Sequence, residues 1–302
     1  MTWYPPPEAI ATTVYTEMPA ELRRRVVTDW SRGNKGGQVV DSFLEGPCFD
    51  AAGNLYVTDI PHGRIFRIAQ DRSWTLIAEW DGEPNGLALH PDGRLFITDY
   101  KNGIMAVRPD EGRVVPVLAR RNSESFKGVN DLVFARNGDL YFTDQGQTGL
   151  QDPTGRVYRL TKSGKLDCLI SNGPSPNGLV LNAAEDALFV AMTRDNAIWR
   201  VPLLPDGTTT KVGRFASFSG TSGPDGMAAD EAGNILVAHA SLGAVFVLGP
   251  QAEPLARLVS CRGRTITNLA FGGPGRRTVF MTDSETGSVL CADWRASGLA
   301  VA

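Results

Sequence analysis

The chain has 302 residues, 42% of them hydrophobic, and a formal net charge of −3. That balance excludes a polybasic surface for nucleic acid or anionic membranes, and Arg23–Arg25 reads as a solvated face. No run approaches the 18 apolar residues of a membrane span, and MTWYPPPEAI lacks the charged and apolar regions of a signal peptide, so the expected address is cytoplasmic. Cys48, Cys168, Cys261 and Cys291 form no CxxC pair and lie in or beside apolar patterns, as expected of free, buried thiols.

Residues 1–20 read as an extended arm broken by Pro5–Pro7 that could cover one face of the fold. Leu22–Trp30 or Gly37–Phe43 is the expected closing strand, with a short helix in Leu22–Trp30 as the alternative. From Glu45 a unit begins that recurs six times: an oxygen-bearing side chain, a short apolar run, a turn rich in glycine or acid, and a second run. The copies start at Glu45, Asn85, Asn130, Asn177, Asp225 and Asn268, with periods of 40, 45, 47, 48 and 43 residues. Within the first, Gly46–Asp50, Leu55–Thr58, Arg64–Ile68 and Trp74–Glu79 read as four strands.

Later third and fourth strands are expected at Gly103–Val107 and Val114–Leu118, Gly155–Leu160 and Leu166–Ile170, Ala197–Val201 and Lys211–Phe215, and Gly243–Leu248 and Pro254–Val259. The sixth copy has a third strand, Gly287–Ala292, and then nearly runs out of chain. Four strands at periods of 40–48 residues predict an all-β fold: a six-bladed β-propeller with four-stranded antiparallel blades, forming one domain over 1–302 and closed by an N-terminal strand. The irregular stretch Ala119–Gly128 is expected to line the entrance to any site.

In a propeller the first residue of each copy faces the central channel. Glu45, Asn130, Asn177 and Asp225 then offer four oxygen donors carrying two negative charges, suited to one divalent ion: Ca²⁺ first, with Mg²⁺, Mn²⁺ or Zn²⁺ as replacements. Asn85-Gly86, Asn177-Gly178 and Asp225-Gly226 also fit turn dipeptides, but Glu45 and Asn130 occupy the same phase without being ordinary turn choices. Asn85, Lys127 and Asn268 are left as substrate-facing candidates. His62, His90 and His239 have no metal-triad spacing; His90 precedes a turn, and His239 stands where other copies have Asp, as a blade hydrogen-bonding residue. There is no GxSxG motif, and Gly272-Gly273-Pro274-Gly275 lacks the Lys-Ser/Thr of a phosphate loop. The recurring Thr58-Asp59, Thr98-Asp99, Thr143-Asp144 and Thr282-Asp283 read as hydrogen bonds that staple the blades.

The quartet, with SPNGL at 175–179 and GPDGMAAD at 223–230, resembles the family of senescence marker protein, gluconolactonase and luciferin-regenerating enzyme over about residues 38–295. The resemblance implies a six-bladed propeller with a divalent metal in its channel, and a hydrolase that opens a small-molecule lactone. Glu45, Asn177 and Asp225 match metal ligands of gluconolactonases, and Asn130 matches a residue contacting substrate or metal. The quartet also resembles the calcium site of diisopropylfluorophosphatase, which implies phosphotriester hydrolysis as an alternative; a non-catalytic ligand- or calcium-binding propeller is another. In staphylococcal-type lactonases the acid after this Asn, here Asp131, is implied to act in hydrolysis. Of the two candidates for base or nucleophile, Asp131 and Asp225, Asp131 is the expected base and Asp225 chiefly a ligand, because metal coordination lowers a carboxylate's basicity. Sugar-lactone members carry an Arg where this chain has Gly128, which points to a less hydroxylated lactone.

Overall fold

The computed structural model describes residues 4–300. Short runs rich in β-branched and aromatic residues, separated by glycine-bearing turns, pair with their sequence neighbours into six antiparallel blades. From the axis outwards, the first blade is Leu44–Phe49, Leu55–Asp59, Arg64–Ile68 and Trp74–Glu79, and the second Pro84–Leu89, Leu95–Asp99, Gly103–Val107 and Val114–Leu118. The third is Val129–Phe134, Leu140–Asp144, Gly155–Leu160 and Leu166–Gly173, and the fourth Pro176–Leu181, Ala187–Met192, Ala197–Pro202 and Gly213–Ser217. The fifth begins Pro224–Ala229, Ile235–His239, Ala244–Leu248 and Pro254–Val259; the sixth begins Ile266–Gly272, Thr278–Asp283 and Ser288–Asp293.

Thr13–Glu17 closes the ring, pairing antiparallel with Ser288–Asp293. This corrects the expected closing strands. The run TVYTE is β-branched and aromatic and begins beyond the last proline of the arm, so its N–H groups are free to pair. Leu22–Trp30 cannot serve: Arg23 is bound by Glu17, Asp41 and the carbonyl of Thr286, and a helix starts at Asp29, capped reciprocally by Thr28 and Ser31. The helix alternative overlaps this Asp29–Asn34 helix only at its start. Gly36 and Gly37, both at positive φ, break the other candidate. The described part of the arm runs along blade edges rather than across a face. Glu8–Ala11 adds a fifth, parallel strand to the fifth blade, so that blade exceeds the expected four; residues 1–3 of the arm lie outside the described residues.

Both faces of a blade must be buried by its neighbours, and the apolar core is accordingly divided among the six interfaces. Leu132, Phe142 and Tyr158 of the third blade pack with Phe96 and Ile104 of the second, and Met18 of the arm fills the seam between the sixth and first with Leu44, Phe66 and Val289. Each fully buried side chain of this size contributes about 1.5–3 kcal/mol.

Three of the four Thr-Asp ends staple neighbouring blades, each through its threonine, whereas Thr282 bonds within its own blade to Asn268 and Thr267. Thr58 donates to the carbonyl of Asn85 in the next blade (2.8 Å), Thr98 to that of Asn130, and Thr143 to that of Asn177 (2.7 Å). The aspartates act within their own blade, accepting the N–H that leads into the inner strand: Phe43 to Asp59 and Gly128 to Asp144. His239 departs from its expected role. It is fully buried beside Phe218 and Phe246, and neither ring nitrogen has a hydrogen-bond partner.

The thiols are free as expected but not fully buried: Cys48, Cys168 and Cys291 are half-buried and Cys261 is exposed. No helix among the described residues is long and apolar enough to cross a membrane.

Candidate functional site in the central channel

Every inner strand carries a register shift where it reaches the axis: between Glu45 and Cys48, Pro84 and Leu87, Val129 and Leu132, Pro176 and Leu179, Pro224 and Met227, and Ile266 and Asn268. Such bulges re-aim side chains. Here they turn Glu45, Asn85, Asn130, Asn177 and Asp225 into one cavity of about 580 Å³ at the end of the channel.

The sixth position corrects the phase read from sequence. Ile266 pairs with Asp283 as Leu44 pairs with Asp59 and Val129 with Asp144, so the residue on the ring is Thr267. Thr267 lines the cavity; Asn268 does not. The Thr267 hydroxyl is engaged with Thr282, Ser284 and the carbonyl of Leu44, and closes the ring. Asn268 instead matches Gly86 and Asp131: all three backbone N–H groups donate to the hydroxyl oxygen of the facing threonine, Thr282, Thr98 and Thr143.

That next position explains the Asn-Gly and Asp-Gly dipeptides, which lie inside strands rather than at turns. Neighbouring backbones come so close around the axis that a Cβ on Gly178 would stand 2.2 Å from the carbonyl oxygen of Asp225, and one on Gly226 2.1 Å from the amide of Asn268. Only Asp131 and Asn268, from opposite blades, place side chains in this layer, and both are buried off the cavity wall.

Glu45 Oε2 accepts from its neighbour's N–H (Gly46, 2.8 Å) and from Asn268 Nδ2 (2.9 Å). Burial pushes the Glu45 carboxyl up to about 6. Burial, then the charges of Glu45 and Asp131, drives Asp225 well above the usual carboxylate range. Burial and the charge of Glu45 raise Asp131 to about 8, against the N–H of Leu132 and the amide of Asn268. No lysine or arginine forms an ion pair with any of the three among the described residues. Two buried carboxylates facing one cavity without a basic partner suit a cation. Asn130 fits too: its Nδ2 donates to Gln145 Oε1 (2.9 Å), which leaves Oδ1 as a donor atom for an ion. Among the described residues no three of His, Cys, Asp and Glu gather as a metal cluster, so the amide oxygens of Asn130 and Asn177 are needed to complete a set of hard donors.

Several wall residues were not legible beforehand. Gln145 hands the Asn130 contact on, its Nε2 donating to Ser175 Oγ (2.9 Å), and Thr148 ties the two loops by donating to the Gln145 carbonyl and accepting the Ser175 N–H. The position of Gln145 directly after Thr143-Asp144 was the available signal. The mouth is built by Trp30, Asn34 and Lys35 at the helix, by Phe43, Tyr100, Leu150 and Arg194, and not by 119–128. That stretch, expected at the entrance, forms a small hairpin whose Phe126 packs on Phe142 and Tyr158. Lys127 is exposed, donates to Thr154 (2.7 Å) and does not line the cavity. At Gly128, φ is +150° and a Cβ would meet the Tyr100 ring at 2.4 Å, so that ring occupies the space beside the bare backbone.

Residues 43–285 match the model of the SMP-30/Gluconolactonase/LRE-like region. The chain belongs to this family. It is 30% identical over 254 residues to the lactonase drp35 of Staphylococcus epidermidis, spanning 80% of this chain and 75% of that protein. With the gluconolactonase of Zymomonas mobilis it shares 29% over 274 residues, spanning 80% and 76%. The fold superposes on the calcium-binding protein regucalcin of Agrobacterium tumefaciens with a TM-score of 0.77 at 21% identity, covering 97% of this chain and 98% of that one.

Proposed function

We propose that this protein hydrolyses a lactone with a divalent cation, Ca²⁺ foremost, held by Glu45, Asn130, Asn177 and Asp225. The observation that carries the reading is the pair of buried carboxylates, Glu45 and Asp225, facing a cavity of about 580 Å³ with no basic partner. Membership of a family whose relatives include proteins named lactonase and gluconolactonase supports the chemistry. The bound cation would polarise the lactone carbonyl and favour charge developing on its oxygen.

The chain's own residues supply the rest. Of the two expected bases, Asp225 lines the cavity and the favoured Asp131 does not, so the role passes to Asp225. It takes the proton as the water oxygen attacks the carbonyl carbon. The ring C–O bond then breaks, and the departing oxygen recovers that proton, giving the hydroxy acid. Asp131, buried under Gly86 and close to Asn268, acts through the floor of the site. Asn85, on the ring and with no side-chain hydrogen bond among the described residues, is placed to bond the substrate.

Acid release from aldono-, aliphatic and aromatic lactones, followed at constant pH with chelator and then with each metal restored, tests this. Glu45→Gln and Asp225→Asn are expected to abolish hydrolysis while the fold persists. Full activity in either variant, or in chelator, would sink the mechanism. Cation binding without turnover on any lactone would leave a non-catalytic binding propeller, and a fluorophosphate substrate separates phosphotriester hydrolysis.

A further inference from the structure

The charged residues that line the cavity are Lys35, Arg194, Glu45, Glu83 and Asp225. About half of the basic residues of this chain lie beside a carboxylate, and these two cations face the cavity without one among the described residues. Arg23, Arg24, Arg64, Arg159 and Arg214 all lie within 4.0 Å of a carboxylate. Lys35 and Arg194 have no such partner among the described residues, and their side chains make no hydrogen bond there.

Lys35 is held in place all the same. It caps the Asp29–Asn34 helix, and its ammonium rests 4.7 Å from the centre of the Phe43 ring and 6.0 Å from that of Trp30. Burial lowers its pKa, and the leading opposing influence is the charge of Asp225, which places the ammonium within the field of the cavity floor. Arg194 in turn acts on Asp225 from the fourth blade. A cation that is half-buried on aromatic rings, without a counter-ion, has given up hydration without gaining an anion.

We propose that the lactone this site opens carries a carboxylate, received at the cavity mouth by Lys35 with Arg194 beside it. The inference rests on the lactonase reading above. The lining charges favour a monoanion: two cations face three carboxylates, and a divalent ion on the ring turns that balance to one net positive charge. A phosphate dianion would leave one charge unmatched. Trp30, Phe43, Ile60 and Tyr100 supply an apolar part of a lining that is otherwise mostly amide and hydroxyl side chains.

The experiment compares γ-butyrolactone with its γ-carboxylate, 5-oxotetrahydrofuran-2-carboxylate, on the calcium-loaded full chain. It also measures calorimetric binding of the product of the second, 2-hydroxyglutarate. The wild type should prefer the carboxylated lactone by roughly tenfold or more in kcat/KM, the range of one charge-assisted hydrogen bond. Lys35→Met should lose most of that preference through KM, weaken 2-hydroxyglutarate binding about as much, and be rescued by Lys35→Arg. Equal kcat/KM for the two lactones, or a preference that survives Lys35→Met, overturns the proposal while leaving the hydrolase reading intact. Lys35-dependent binding of 2-hydroxyglutarate without turnover of either lactone supports the anion site and overturns the hydrolase reading instead. Absence of both binding and turnover overturns both.

Discussion

Asn268 Nδ2 donates to Glu45 Oε2 at 2.9 Å across the seam where the last blade meets the first. The bond spans 223 residues of sequence and fixes the one carboxylate of the ring that comes from the opening blade. Gly46 N–H donates to the same oxygen at 2.8 Å. Asn268 is therefore a positioning residue for Glu45. Asn268→Leu should lower calcium affinity by about 10–100-fold, the usual effect of losing a group that orients a ligand. Calcium titration by calorimetry reads this directly, and an unchanged affinity would refute the role.

The layer of glycines under the ring makes a second prediction. Gly226→Ala puts a methyl 2.1 Å from the Asn268 amide, inside a strand that cannot retreat. It should destabilise the protein by about 3 kcal/mol, in the range of overpacked cores. Gly213, where an added methyl would meet nothing within 4 Å and φ is not positive, is the control: Gly213→Ala should stay within about 0.5 kcal/mol. Urea unfolding of the two variants separates close backbone approach from a general cost of losing glycine.

Those glycines also show what the sequence could and could not say. The repeat period specified blades because each must bury two faces against its neighbours, and that requirement is written in every strand. The cavity lining was legible because five copies keep a carboxylate or amide oxygen at one phase. The sixth copy misled, since Thr267 and Asn268 both bear side-chain oxygens, and only the pairing of Ile266 with Asp283 tells which one reaches the ring. The closing strand was hidden because Thr13–Glu17 has its partner at the far end of the chain, beyond any local periodicity. The mouth residues Trp30 and Lys35 precede the first repeat, so no pattern marked them, whereas Tyr100 follows Thr98-Asp99 as Gln145 follows Thr143-Asp144.

Tyr100 offers a test of the wall beside Gly128. Its ring fills the space where Gly128 has no side chain, and its hydroxyl accepts from Gln147 Nε2 at 3.1 Å. Tyr100→Ala should open that wall and shift kcat/KM towards lactones with a bulkier substituent by roughly tenfold, the scale of a few apolar contacts. Tyr100→Phe keeps the ring and should leave the size preference in place. A size preference that ignores both substitutions would remove Tyr100 from substrate selection.

His239 gives the protein a stability that depends on pH. The imidazole is fully buried beside Phe218 and Phe246 with both nitrogens unpaired, and burial pushes its pKa down to about 4. In the unfolded chain a histidine titrates near 6.5. Between these values the unfolded state binds the proton and the folded state does not, so stability rises with pH across this window and is lost as pH falls from about 6.5 towards 4. The full loss is of the order of 3 kcal/mol. His239→Asn removes the titration while keeping a side chain of similar reach. The stability difference between wild type and variant, from urea unfolding at pH 7.5, 6 and 5, should therefore drift against the wild type as the solution is acidified. A difference that stays constant over that range would mean that His239 keeps its ordinary pKa, and that water or a neighbouring group satisfies its ring.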